Sequence, residues 1–403
     1  MVNQTGHIDQ IKQLNTGIVY RIIDQHGPIS RIALSKQSQL APASITKITR
    51  ELMDAHIIKE LEFPVLGLRG RPAVGLVVES EGWQFLAIRI QDKKITISLK
   101  EINATTLAQT EYPFKPINNE QFINKLSELI SHFFASHQSI LERVTAISIL
   151  SDGILDPYTS VIHHHAHFNI NQLAIGEYLT EHTGLPIYLH PSVDALALKD
   201  YFSHLAKRKA KNIIYLQLQD VVNITVLNHG ITLDANTQRP NLFAHTQYKK
   251  TQNIPCYCGG VGCLETHTSL PAILQQANNL LCNYSDSYLQ HNIISIDSIC
   301  SGVKLGDTLC IQLIDNIAQL LAKPLALMVN VLGTELILIN SPINQISELF
   351  FDKLHHYIDQ QSIPLYSSKI TIEKSTLSVS DSESSLIQRA LYDGSLLMQL
   401  LQG

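Results

Sequence analysis

Cys256, Cys258 and Cys263 fall within eight residues, and His245 lies eleven residues before the first of them. No other stretch constrains the fold as much, because a single tetrahedral cation would satisfy all four side chains. Three thiolates and an imidazole form a soft donor set of the kind that holds Zn2+. Four protein ligands close the coordination sphere, whereas a catalytic zinc keeps a position for water, so the expected role is structural. Gly259, Gly260 and Gly262 lie between the second and third thiols, where backbone wrapped around an ion must adopt conformations that side chains obstruct. Three unrelated packing thiols and a chance histidine would not need that interleaving with glycine.

A chain of 403 residues with 45% apolar content can build two to three large cores, at about 150 residues per domain. The first residues lack a basic segment followed by an apolar one, and no apolar run has membrane-spanning length, so a cytoplasmic location is expected. Cys282, Cys300 and Cys310 are widely spaced and suit reduced packing thiols. The formal charge is −5, yet residues 1–80 carry nine Lys/Arg against seven Asp/Glu. This mild asymmetry leaves room for a nucleic-acid module at the N-terminus.

Ile8, Ile11, Leu14, Ile18 and Ile22 recur at spacings of three and four and predict an amphipathic helix over 8–25. Gly27-Pro28 breaks it, and Ser30 is a good cap for a short helix over 31–38. Pro42 opens a third helix over 42–55, with Ile45, Ile48 and Leu52 on one face. The two short helices form a helix-turn-helix. The opposite face of the second carries Ser44, Thr46, Lys47 and Arg50, which can reach base edges or phosphates of double-stranded DNA. Strands flanking Leu66–Arg71 predict a wing, with Arg69 and Arg71 at its tip suited to a minor groove.

From Trp83 onward, strands and helices alternate: strands near 84–90, 94–99, before Pro113, 146–150, 186–189, 212–218, 222–227 and 336–339. Helices are expected over 121–137, 173–183, 193–206, 270–282 and 308–331. The fold class is therefore α/β, with at least two lobes behind the helix-turn-helix.

A winged helix, a two-lobed body and His…Cys-x-Cys-x4-Cys together resemble the ROK family of repressors and sugar kinases. Gly6-His-Ile-Asp-Gln-Ile-Lys-Gln, Ala41-Pro-Ala-Ser-Ile-Thr-Lys-Ile, Arg69-Gly-Arg-Pro-Ala-Val-Gly-Leu-Val-Val and the terminal Gly394-Ser-Leu-Leu-Met-Gln-Leu-Leu-Gln-Gly are similar to its sugar-uptake repressors. The resemblance implies an actin/sugar-kinase-like (ribonuclease H-like) body. It divides the chain into a winged helix-turn-helix at 1–80, a first lobe at 81–195, a second lobe with the zinc site at 196–380, and a C-terminal helix at 381–403. It also implies a homodimer or homotetramer on palindromic operators of phosphotransferase-system genes. Derepression would come from sequestration by the B domain of the unphosphorylated glucose permease, with Phe133 or Phe134 as the contact.

The departures argue against the family's enzymatic branch. Its kinases begin the first lobe with Asp-x-Gly-Gly-Thr, where this chain reads Ala87-Ile-Arg-Ile-Gln-Asp-Lys. The second phosphate segment reads Asp220-Val-Val-Asn-Ile-Thr-Val, without the glycines that let amides approach phosphates. His190-Pro191 replaces the catalytic aspartate, and proline cannot accept a proton. Neither ATP nor catalysis is expected. The sugar motif Glu-x-Gly-His appears as Leu242-Phe-Ala244-His245, which keeps the zinc ligand and loses a charged acceptor for sugar hydroxyls. A regulator that senses a free sugar or amino sugar is the alternative, and a sugar kinase with an accessory DNA-binding domain is a more remote one. His163-His-His-Ala-His167 reads as strand or loop histidines without a metal pattern. Asp152 and Asp156 read as loop residues, and Lys207–Lys211 as a solvated basic turn.

Overall fold

Two five-stranded sheets built on one plan carry the body. The computed structural model describes residues 4–63, 73–204, 210, 212–233, 242–248, 254–363 and 370–402, with side chains from residue 9 onward. In the first lobe the strands are β3 (Trp83–Gln91), β4 (Lys94–Glu101), β5 (Thr106–Pro113), β6 (Arg143–Ser151) and β10 (Ile187–Pro191), in the order β10-β6-β3-β4-β5. β3, β4 and β5 are antiparallel neighbours, and β6 and β10 join in parallel. The second lobe repeats this arrangement with β11 (Asn212–Leu218), β12 (Val222–Asn228), β13 (Ile231–Thr232), β14 (Leu336–Asn340) and β15 (Thr371–Lys374), in the order β13-β12-β11-β14-β15. Again three strands form an antiparallel meander and two add in parallel. The repeated sheet is the α/β, two-lobed ribonuclease H-like architecture.

Burial explains the sequence of the central strands. β3 and β4 are covered on both faces; β3 reads as a near-continuous apolar run, whereas β4 alternates Ile95, Ile97 and Leu99 with Thr96, Ser98 and Lys100, which are buried as well. β5 lies at the sheet edge and alternates. A small third sheet, β7 (Gly153–Asp156), β8 (Val161–His165) and β9 (Asn171–Leu173), was not anticipated, because histidines and turn residues hide its periodicity. Between the lobes, the helix α6 (Ser192–His204) buries Ser192 through Leu198 without a break. A helix wrapped on all sides shows little amphipathicity, and its apolar residues pack with Leu150, Tyr215 and Leu338 from both sheets and with Leu386 from the C-terminal segment.

The N-terminal elements are α1 (Gln4–His26), α2 (Arg31–Ser38), α3 (Pro42–Asp54), β1 (Ile58–Phe63) and β2 (Ala73–Val78). Ser30 caps α2 by accepting from the Ala33 amide at 3.2 Å, as its position predicts. The α1 stripe needs correction. Thr16, Val19, Tyr20 and Ile23 are buried, whereas Ile11 and Leu14 are 49% and 55% exposed. The inward face is rotated because α1 packs on the C-terminus as well as on α2 and α3. That terminus, expected as one helix over 381–403, forms two, Ser385–Tyr392 and Ser395–Gln402, broken at Gly394 with φ 81. Leu396, Leu397, Ile387 and Leu391 share one buried cluster with Val19, Ile23, Leu52, Ile57, Trp83 and Phe85. Each such side chain contributes about 1.5–3 kcal/mol when fully buried, so the N-terminal module is docked and not tethered.

Candidate nucleic-acid interface and metal centre

The candidate recognition face forms because α3 has only one apolar side. Ile45, Ile48, Thr49 and Leu52 point into the module, which leaves Ser44, Thr46, Lys47 and Arg50 exposed on the opposite face. Ion pairs fix the helix from behind. Lys12 on α1 meets Glu51 at 3.0 Å, and Arg31 on α2 donates to Glu60 on β1 at 2.7 Å and to the Thr49 hydroxyl at 3.3 Å. Among the described residues Lys47 and Arg50 have no ion-pair partner, and both stand over a shallow hollow that they line with Ala43, Thr46 and Glu51. Thr46 spends its hydroxyl hydrogen on the Pro42 carbonyl at 2.9 Å, leaving its oxygen as an acceptor. β1 and β2 pair from Ile58↔Val78 to Phe63↔Ala73, which is the predicted wing. Its tip, with Arg69 and Arg71, lies outside the described residues, as do Lys207, Arg208, Lys209 and Lys211.

The partner contact expected at Phe133 is overturned. Phe133 lies on the inner face of the helix α4 (Asn119–Ser136) and is 0% exposed, packed in the first-lobe core with Phe122, Leu126 and Ile130. Its ring stacks at 4.3 Å on His137, so it cannot be reached from solvent. Phe134 is half-buried at the rim of the same core. Sequence periodicity distinguishes the two only once the α4 register is known.

His245, Cys256, Cys258 and Cys263 converge, with their ligand atoms all within 4.8 Å of one another. Cys256 Sγ lies 3.4 Å from His245 Nδ1, and Cys258 Sγ lies 3.7 Å from Cys263 Sγ. Tetrahedral Zn2+ with bonds of about 2.3 Å to sulfur and 2.0 Å to nitrogen has edges of about 3.8 Å between sulfurs and 3.5 Å between sulfur and nitrogen. The donor set therefore fits zinc in both chemistry and size. Burial lowers the imidazole of His245 to about 4, which leaves it neutral and able to ligate, and burial raises the thiols of Cys256 and Cys263 above their ordinary range. A cation is what would restore them to thiolates.

The loop is shaped for this cluster. Gly259 and Gly262 take φ values of 85 and 64, and a Cβ on Gly260 would sit 3.3 and 3.4 Å from the sulfurs of Cys258 and Cys263. The Gly260 amide donates to Cys258 Sγ at 3.3 Å. Two residues after Cys263, Glu265 accepts from the Val222 amide at 3.1 Å, which fastens the loop to β12. Burial pushes that carboxyl up to about 7. Glu265 was not anticipated from sequence, since a lone glutamate beside a cysteine carries no pattern.

The remaining predicted positions fall around the cleft between the lobes. β3 ends in a two-residue turn, Asp92-Lys93, before β4, too short to wrap a phosphate. Arg89 and Lys100 instead hold Glu383 from the C-terminal segment, at 2.5 and 3.0 Å. His190 accepts at Nε2 from Arg389 at 3.0 Å and, since arginine can only donate, gives its Nδ1 hydrogen to Asp194 at 3.2 Å. Asp156 accepts from the Tyr158 amide and the Thr159 hydroxyl, the turn role expected of it. His165 sits in β8 facing Ser151 at 3.1 Å, and burial lowers it to about 3.

The sequence model of the ROK family matches residues 85–382. The chain belongs to the ROK family. Its whole length is 38% identical to the DNA-binding transcriptional repressor Mlc of Escherichia coli strain K12, covering 99% of that protein. It is 29% identical to the transcriptional dual regulator NagC of the same organism, with 99% of this chain and 98% of that one covered. A crystal structure of a ROK family transcriptional regulator, described as a homologue of E. coli Mlc, superposes with a TM-score of 0.86 at 35% identity and covers 98% of this chain. Both similar regulators extend over α1–α3 as well as the ROK body. Among the described residues no helix is long and apolar enough to cross a membrane.

Proposed function

We propose that this ROK protein is a non-enzymatic transcriptional repressor of sugar-uptake genes of the phosphotransferase system, released from DNA when the unphosphorylated glucose permease sequesters it. The observation that carries the reading is the recognition face of α3, with Ser44, Thr46, Lys47 and Arg50 presented together on a docked module. End-to-end similarity to the Mlc repressor supports it. Two-fold operators require a dimer or tetramer, because half-sites recur about one helical turn apart. Residues 1–80 read the DNA, with Arg69 and Arg71 entering the minor groove, and the lobes at 81–195 and 196–380 carry the signal. Structural Zn2+ on His245, Cys256, Cys258 and Cys263 would hold the second-lobe loop on β12. It supplies rigidity, while the thiols, imidazole and Glu265 supply the anchor.

The geometry of the cleft supports the non-enzymatic reading. The two-residue turn after β3 is too short to cradle a phosphate, and at the His190-Pro191 corner the imidazole of His190, bonded to Asp194, stands in place of a carboxylate base. A pull-down with phosphorylated and unphosphorylated permease tests partner and switch together. Capture by the unphosphorylated form alone is expected, weakened by Phe134→Ala; equal capture of both forms, or of neither, refutes sequestration. Cys258→Ser should release zinc, measured by mass spectrometry of the native protein, and lower the unfolding temperature.

Similarity to NagC favours a second reading, a regulator relieved by a free amino sugar. Leu242 is 48% exposed where a glutamate would bind hydroxyls, so calorimetry with glucose, mannose and N-acetylglucosamine should show no heat. A saturable heat would replace the first reading with the second.

A further inference from the structure

The hollow on the outward face of α3 differs from its charged surroundings. Ala43, Thr46, Lys47, Arg50 and Glu51 line it. The last four stand three, four, seven and eight residues after Ala43, which places all five on one side of the helix, opposite Ile45, Ile48 and Leu52. Carbon dominates the lining. Ala43 offers only a methyl group, and Lys47 and Arg50 offer aliphatic stems whose charged heads can stay with solvent or phosphate. The Thr46 hydroxyl donates to the Pro42 carbonyl at 2.9 Å, which fixes its rotamer and gives its methyl group a constant position. Glu51 meets Lys12 at 3.0 Å, so its charge is compensated within the module.

The two cations at the rim select duplex DNA as the occupant, and the carbon lining selects among its bases. In the major groove adenine, guanine and cytosine present only hydrogen-bond donors and acceptors, whereas thymine adds a 5-methyl group. A polar edge pressed on carbon loses its water without gaining a hydrogen bond, while a methyl group gains from the same contact. Recognition helices approach base edges with their N-terminal residues, and Ala43 and Thr46 lie near the start of α3.

We infer that this hollow receives the 5-methyl group of one thymine in each operator half-site, with Ala43 and Thr46 as the specificity-determining contacts. Lys47 and Arg50 are placed for the neighbouring phosphates or guanine edges. The inference rests on the DNA-binding reading of α3 and adds to it the identity of a base. The wing cannot make the same distinction, because the minor groove carries no methyl group.

The test uses the full-length, zinc-replete protein and the duplex it enriches from a random-sequence library, synthesised again with deoxyuridine in place of each thymine in turn. Deoxyuridine keeps the base pair and removes only the methyl group. Fluorescence anisotropy at constant salt should show affinity falling about fourfold at one thymine of each half-site, the share of one buried methyl group, and little elsewhere. Thr46→Ser keeps the hydroxyl and removes the Thr46 methyl, and Ala43→Gly removes the other. Each should shrink the ratio between the two duplexes toward one, and circular dichroism checks the fold of both variants. Equal affinity for thymine and deoxyuridine at every position overturns the inference and leaves DNA binding standing. So does a thymine preference that both variants keep in full. Failure to select any duplex overturns the DNA-binding reading and this inference with it.

Discussion

Gly17→Ala should undock the N-terminal module even though alanine is the better helix former. Gly17 is buried on α1, where a Cβ would lie 2.6 Å from the Gly394 nitrogen, 2.8 Å from the Asp393 carbonyl carbon, and closer still to the Tyr392 carbonyl oxygen. Helix propensity favours alanine by about 1 kcal/mol. Overpacking costs about 1–3 kcal/mol, and this site lies at the upper end because every obstacle is backbone and cannot rotate away. The turn cannot retreat cheaply either. The Tyr392 hydroxyl donates to Asp24 at 2.6 Å, Gln13 donates to the Asp393 carbonyl at 3.2 Å, and Gly394 is held at φ 81. The net expectation is a loss of about 1–2 kcal/mol from the docking of α1 on the C-terminal helices. Trp83, the single tryptophan, reports it. It is 9% exposed in the shared cluster and donates to the His56 carbonyl at 2.9 Å. Urea titration followed by its fluorescence should show an earlier transition in the variant. An unchanged or later midpoint would refute the packing argument.

Arg50→Ala should weaken operator binding and reduce the slope of log K against log salt by about 0.9, the share of one phosphate, as read by fluorescence anisotropy. Glu383→Gln removes a carboxylate shared by Arg89 and Lys100 at 2% exposure, and breaking such a buried pair costs about 3–5 kcal/mol by chemical denaturation. Asp307 caps the helix Thr308–Leu332 by accepting from the Cys310 amide at 2.7 Å, so Asp307→Ala should cost about 1–2 kcal/mol. Partial burial opposes its ionisation, but the Cys310 amide, the Ser287 hydroxyl and the Tyr288 amide outweigh it and hold the carboxyl below its usual range. Its stabilising effect is thus complete above about pH 3.9 and fades as pH falls through the lowered value, so the gap between variant and parent should close in acid.

The helix-turn-helix, the wing strands and the metal cluster were legible because their signals are local. A cap at Ser30, a proline at the start of α3 and glycines between thiols each act within a few residues. The strands β3 and β4 were also legible, β3 as an apolar run and β4 by the alternation of Ile95, Ile97 and Leu99 with polar residues. What could not be read is long-range. The rotation of the α1 stripe depends on the 392–394 turn, some 380 residues away, and the burial of Phe133 depends on which α4 face meets the sheet. The Arg89–Glu383–Lys100 triad joins residues with no shared spacing, and the small β7–β9 sheet replaces apolar alternation with histidines that hydrogen-bond to neighbouring strands and turns.

The central claim is that α3 of an oligomeric chain reads double-stranded operators. Selection of bound duplexes from a random-sequence library by the full-length protein tests it most directly. Enrichment of two-fold palindromes, with half-site centres about one helical turn or a multiple apart, is the predicted result, and Arg50→Ala should reduce it. A library that stays random, or enriched sites that Arg50→Ala selects equally well, would contradict the account.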